Sequence, residues 1–319
     1  MLTDKEVVSL IALLDDDDQE IVKHVEDKLL SLGVDVVTLL ENEWNSIHNI
    51  EHQQKLENII HKIQFEDQVE QLREWSKTPE QDLLDGLFII ARYKYPELLK
   101  QTIINEIDKI RLDIWLEIRP EFGAYEKIRI MNHILYNVYG FKGNTDHYHD
   151  PSNSFINNVL ESKRGNPIML AVVYMLVAQR LNMPIYGVNL PQHFVLGYKD
   201  ENGIIDISDA FSKAAHPTVR QSNGKILFYI NAFNNGSVFS KANLEQFLKQ
   251  IQIEPRLEFF EPCSNIDIIK RVLRNLSVAY EKVNKPHKVH EIHRMLSVLG
   301  EPPLDHFEDT TPDEFDSED

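Results

Sequence analysis

The feature that most constrains this chain is a helix with no polar side. Ile168 to Leu181 reads IMLAVVYMLVAQRL, apolar on nearly every face until Gln179 and Arg180. Such a helix is stable only when other elements surround it, so it belongs at the centre of a fold. It is shorter than the ~18 apolar residues that mark a bilayer span, and no other run reaches that length. A basic turn, Lys163-Arg164-Gly165, leads into it through Asn166 and Pro167. Two strand-like runs follow, Pro184 to Leu190 and His193 to Tyr198. The stretch Glu161 to Tyr198 therefore predicts a buried helix packed on a sheet, with a polar His193 opening a strand.

On either side the pattern is mostly helical. Thr3 and Glu6 form a capping box that opens a helix over Asp4 to Leu14. The acidic run Asp15 to Asp18 reads as a solvated turn whose charge favours the next helix N-terminus. It lacks the spacing and glycine of a calcium loop. Helices are expected over Gln19–Leu32 (stopped by Gly33), Val34–Trp44, Ile50–Trp75, Asp82–Tyr93 and Glu97–Trp115. Their spacing resembles a pair-stacked HEAT-type array, a layout suited to binding surfaces. Glu121 to Tyr139 is a further helix by its apolar period. A turn-rich segment from Gly140 to Asn153 follows, then a short helix over Ser154–Ser162.

Beyond Tyr198, Asp200-Glu201-Asn202-Gly203 is a hairpin signal with Ile204 to Ile207 as the returning strand. Ser208 to Gly224 is a polar connection, Ile226 to Ile230 another strand, and Lys241 to Gln250 a helix. Ile266–Lys282 and Pro286–Leu299 form a closing helical hairpin of tetratricopeptide type. The end, from His306, is acidic and expected to be disordered. The fold class is α+β: a helical N-terminal array, a central core with a small antiparallel sheet, and a C-terminal helical hairpin. The expected boundaries are 1–118, 119–255, 256–300 and 301–319.

The net charge of −18 at a pI near 5.1 argues against nucleic acid as a partner, since phosphate binding needs a basic surface. Cys263 is the only cysteine, so no internal disulfide forms, in keeping with a cytoplasmic location. The N-terminus lacks a signal peptide's basic region, and neither a membrane nor a cofactor is expected. There is no phosphate-binding glycine loop, dinucleotide fingerprint or HExxH. His147 and His149, flanked by Asp146 and Asp150, are the one candidate metal pair, without a third ligand fixed by spacing. His287, His290 and His293 rotate off one helix face and read as surface residues.

The mouth of the buried helix is the stronger candidate. A helix N-terminus stabilises a thiolate, and a histidine on the next strand can act as its base. An acid or amide on a further strand then orients the ring. That order is shared by papain-like and transglutaminase-like hydrolases. The run RGNPIML…VYMLVAQRLNMPIYGVNLPQHFVLGY resembles the bacterial transglutaminase-like family of the Sir-B type. The segment Gly143-Asn144…Tyr148…Asp150-Pro151…Asn153-Ser154 and the turn Asn231-Ala232-Phe233-Asn234-Asn235-Gly236 resemble it too.

The resemblance implies a transglutaminase-like, papain-type core and places the nucleophile at Pro167, which has none. It places the base at His193. The third position falls at Asn231 or, alternatively, at Asp206. Cys263 reads as an ordinary loop thiol, and neither Ser154 nor Ser264 has support as a replacement nucleophile. The leading expectation is a non-catalytic cytoplasmic protein that binds a protein or peptide. Its cleft would be framed by Gly165, Asn166, Gln192 and His193. The alternative is a hydrolase or acyl-transfer enzyme that uses His193 with another nucleophile. A metal-dependent hydrolase using His147 and His149 stands behind both.

Overall fold

The computed structural model describes residues 3–199 and 225–302. They form two compact units, one of Met1–Thr78 with Arg92–Glu97, the other of Pro79–Ala91 with Leu98–Asp319. Among the described residues none of the helices is long and apolar enough to cross a membrane.

The first unit is built from α1 (Asp4–Ala12), α2 (Gln19–Leu30), α3 (Val37–Trp44) and α4 (Ile50–Lys77). Val7, Ile11, Leu29, Leu40, Leu56 and Ile59 belong to one buried cluster, drawn from all four helices. Polar groups tie the helices inside it. His52, buried on α4, bonds through Nε2 to the Ile11 carbonyl at 2.8 Å. Glu6 accepts from the Thr3 N–H at 2.7 Å, as the capping box requires. The acidic run acts as expected: Asp18 caps α2 by accepting from Glu20 N–H at 2.9 Å. The helix expected over Val34–Trp44 begins as a 3₁₀ turn, Gly33–Val36, because Gly33 turns at φ +68°.

The second unit carries α5 (Leu83–Arg92, its last residue falling in the first unit), α6 (Lys100–Glu117), α7 (Ala124–Asn132), α8 (Ile156–Ser162) and α9 (Pro167–Arg180). It continues with α10 (Lys241–Gln250), α11 (Asn265–Lys282) and α12 (Pro286–Val298). Among the described residues its sheet is four-stranded and antiparallel, ordered β3 (Ile185–Asn189), β4 (Phe194–Lys199), β5 (Ile226–Asn231), β6 (Ser237–Phe239). A two-residue parallel pair, β1 (Lys142–Gly143) with β2 (Arg164–Gly165), stands apart. The protein is thus mostly helical, with a small sheet.

As its sequence demands, α9 is buried from Ile168 to Ala178 and packs against α6, α8, β3 and β4. Three local departures have physical causes. The helix expected from Glu121 starts at Ala124, because Gly123 is its cap and Glu126 accepts the Gly123 N–H at 2.8 Å. It ends in a π-helical turn, His133–Val138. The segment expected as a helix over Ser154–Ser162 begins with a 3₁₀ turn, Pro151–Ser154, capped by Asp150. The turn expected over Asp200–Gly203, the strand Ile204–Ile207, the connection Ser208–Gly224 and the acidic end from His306 lie outside the described residues.

Candidate functional site

The three segments that mark the resemblance meet around the N-terminus of α9. Asn166 caps that helix: its Oδ1 accepts from Met169 N–H at 3.0 Å and its Nδ2 donates to Ser154 Oγ at 2.9 Å. Ser154 is 2% exposed and Asn153 3%, so both need partners. Asn153 donates to the carbonyls of His147 (2.7 Å) and Tyr148 (3.2 Å) and accepts from Asn144 Nδ2 at 2.8 Å. Polar residues that carry the resemblance in the sequence thus hold one loop to one helix start. Gly165 is buried, and a side chain there would press on Val159.

The turn from Asn231 to Gly236 is fixed on the opposite side. Tyr136, in the π-helical turn, donates to Ala232 O at 2.9 Å. Tyr174 of α9 donates to Asn132 Oδ1 at 3.0 Å, while Asn132 Nδ2 donates to Gly236 O at 2.8 Å. Asn231 Oδ1 accepts from the N–H groups of Phe233 (3.1 Å) and Asn234 (3.2 Å). A surface cleft of about 600 Å³ lies beside this turn, lined in part by Arg129, Asn132, His133, Tyr136 and Asn235.

Pro167 occupies the first position of α9 and is half-buried. It supplies neither a nucleophile nor an N–H. His193 closes the two-residue turn between β3 and β4: its N–H and C=O pair with Leu190 at 3.3 and 3.0 Å. Gln192 occupies that turn at φ +62° and is exposed. Side chains alternate along a strand, so His193 shares a face with Val195. Val195 joins Val188, Leu190 and Tyr229 in a cluster with Leu244 and Leu248 of α10, and no α9 residue belongs to it. The imidazole accordingly meets Phe247 of α10 edge-on, with ring centroids 4.7 Å apart.

Among the described residues, no hydrogen bond, ion pair or ring contact joins His193 to Pro167 or Asn231. Partial burial, and secondly the charge of Arg271, hold its pKa below the usual histidine value. The ring is therefore neutral at physiological pH. Asp206 lies outside the described residues. Cys263 sits just before α11, with its N–H donated to Gly187 O at 2.9 Å. Burial, aided by Asp267, pushes its thiol up to about 12. His147 and His149 are exposed, and among the described residues no group of three or more His, Cys, Asp or Glu is placed to hold a metal.

One residue that the sequence did not single out is central here. Arg271 on α11 donates from Nη1 to Asn189 Oδ1 at 3.0 Å and to Leu190 O at 3.1 Å. The loop that carries Tyr148 runs into the 3₁₀ turn Pro151–Ser154, which packs on α11. Its one sequence signal is position: it borders the apolar stripe of Ile268, Val272 and Leu276, where a long basic side chain can lie along the core.

The buried helix capped by Asn166, the antiparallel sheet and the histidine at the mouth of a strand all lie within residues 101–274, the stretch on which the family assignment rests. The chain belongs to the transglutaminase-like superfamily, whose Transglut_core2 family model matches residues 101–274. It is similar to a UPF0162 protein of Xylella fastidiosa, 29% identical over 208 residues. That match covers 64% of this chain and 66%, just under two thirds, of the relative. The UPF0162 protein YchA of Escherichia coli is 23% identical over 216 residues, 66% of this chain and 70% of the relative. F-box only protein 21 of Homo sapiens is 32% identical over 125 residues, 37% of this chain and 20% of that protein. No solved structure matches the chain.

Proposed function

We propose that this is a non-catalytic member of the superfamily, a cytoplasmic protein that binds a protein or peptide in the cleft left by a lost triad. The observation that carries the reading is Pro167, half-buried at the first position of α9 where the resemblance puts a thiol. Two others support it. Asn231 directs its side-chain oxygen to its own turn, and the Cys263 thiol is protonated at any physiological pH. Domains of one fold carry many functions, so the site decides, and this one lacks a nucleophile. The helical region 1–118, read as a HEAT-like array, and the α11–α12 pair, read as a tetratricopeptide-like hairpin, would add binding surface. No metal, nucleic acid or membrane enters this reading.

The test is an assay of the full chain for amide hydrolysis and for acyl transfer to an added amine, using glutamine-containing peptides. No turnover above buffer is expected from the native protein. Turnover that disappears in His193→Ala would establish the competing reading, a hydrolase or transferase with His193 as base. The neutral imidazole of His193 favours that second reading and makes this variant the decisive one.

A further inference from the structure

Arg271 is a half-buried cation without a counter-ion among the described residues. Its two bonds, to Asn189 and Leu190, fix the guanidinium plane beside the β3–β4 turn and use Nη1 alone. Nε and Nη2 have no hydrogen-bond partner among the described residues, and no carboxylate there pairs with the group. Two carboxylates on or beside α11 are engaged elsewhere. Asp267, one helical turn back, accepts from Ser264 N–H (3.1 Å) and O–H (2.6 Å). Glu301 pairs with Arg274 at 2.6 Å.

Burial, and secondly Arg274, act against the charge on Arg271. A guanidinium cannot relieve this by losing its proton, as a lysine could. A partly desolvated, unpaired charge costs stability. An arriving anion removes that cost and meets donors already held in place. The Leu190 carbonyl that accepts from Arg271 also pairs with His193 N–H across the same turn, so the imidazole borders the guanidinium. The planar fork of free N–H groups suits a carboxylate, which it can bind through two parallel hydrogen bonds.

We infer that Arg271, held beside the β3–β4 turn that His193 closes, is a carboxylate-recognition site that anchors a peptide by a C-terminal or side-chain carboxylate. The inference deepens the peptide-binding reading above and rests on it. Arg271 acts here as a binding residue and takes no part in bond breaking.

The test uses the full chain and three probes: acetyl-Ala-Ala-Ala with a free C-terminus, its C-terminal amide, and acetyl-Ala-Glu-Ala-amide. Binding is read by NMR from the Arg271 Nε–H and His193 ring resonances. A probe bearing a carboxylate is expected to shift both resonances saturably and to bind about tenfold or more tighter than the uncharged amide. Whichever of the two acids binds tighter identifies the source of the carboxylate. Arg271→Lys, which keeps the charge and loses the fork, is expected to lose most of that preference. Arg271→Met could loosen the β3–β4 turn, so the acid-against-amide comparison on the unaltered chain decides. Equal binding of all three probes overturns the carboxylate site and leaves peptide binding standing, and absence of binding by all three overturns the site. Turnover of a glutamine peptide would remove the non-catalytic reading without touching an acid preference at Arg271.

Discussion

Asn132 and Gly236 are in contact so close that a side chain at 236 has nowhere to go. Asn132 Nδ2 donates to Gly236 O at 2.8 Å, and a Cβ built on Gly236 would overlap the Asn132 amide. Gly236 also turns at φ +67°, the left-handed region that side chains resist. Gly236→Ala is expected to destabilise the domain by about 2–3 kcal/mol, from backbone strain and steric overlap together. Urea unfolding of the variant measures it, and a loss below about 0.5 kcal/mol contradicts the packing described here.

Asn166 serves α9 and Ser154 at once. Asn166→Ala removes the cap and leaves Ser154 Oγ, nearly fully buried, without its donor. The expected loss is about 1–2 kcal/mol. Asn166→Asp keeps the capping oxygen but cannot donate to Ser154, and should fall between the two. Thermal or chemical denaturation of the three proteins ranks them.

Protonation of His193 should weaken the fold. Its folded-state pKa lies below the unfolded value near 6.5, so the unfolded chain takes up the proton first. The contribution of neutral His193 is complete above about pH 7 and drains away as pH falls through 6.5 toward the folded pKa. His193→Phe should flatten that part of the stability–pH curve, since a phenyl ring can keep the contact with Phe247. An NMR titration of the His193 ring at or above 6.5 would contradict the assignment.

Cys263 should be a slow thiol. With its pKa raised to about 12, almost none is thiolate at pH 8. Reaction of the folded protein with a disulfide reagent is expected to run orders of magnitude slower than that of the chain in denaturant. Equal rates would mean that the thiol is exposed and ionisable.

Pro167→Cys restores a thiol at a helix N-terminus, where its pKa should fall below the usual 8.5. Alkylation rates against pH measure that. Turnover is nevertheless not expected, because the His193 ring lies against Phe247 and Asn231 caps its own turn. Amide hydrolysis by this variant would show that only the nucleophile was missing.

How legible the fold was depended on the range of the forces involved. The all-apolar composition of α9 was enough to place it at the centre, and the Lys241–Gln250 helix lies between the residues its pattern predicts. Strand β6 was not foreseen: Ser237–Phe239 is three residues long and exists only because β5 offers an edge. The π-helical turn at His133–Val138 was likewise invisible, and so was the bond that Tyr136 within it makes to Ala232, 96 positions away.

The site was harder to read than the fold. Asn144, Asn153 and Asn166 could be marked in the sequence, but their joint task appears only when loop and helix meet. Lys163 reads in the sequence as part of a basic turn. It is the left-handed end of α8, at φ +58°, and its ammonium lies over the Phe141 ring at 5.1 Å, which the sequence does not show. Arg271 escaped notice because its partners, Asn189 and Leu190, lie 82 and 81 positions away in the chain.

The bond from Asn132 to Gly236 joins residues 104 positions apart, and that from Tyr136 to Ala232 spans 96. Long-range closures of this kind slow folding, because the intervening chain loses its freedom before the contacts form. The neighbourhood of α9 therefore cannot mature during synthesis until the Asn231–Gly236 turn has left the ribosome. Until then α9, buried from Ile168 to Ala178 in the finished fold, has no complete shelter. That interval, rather than the finished fold, is when this chain most needs a chaperone.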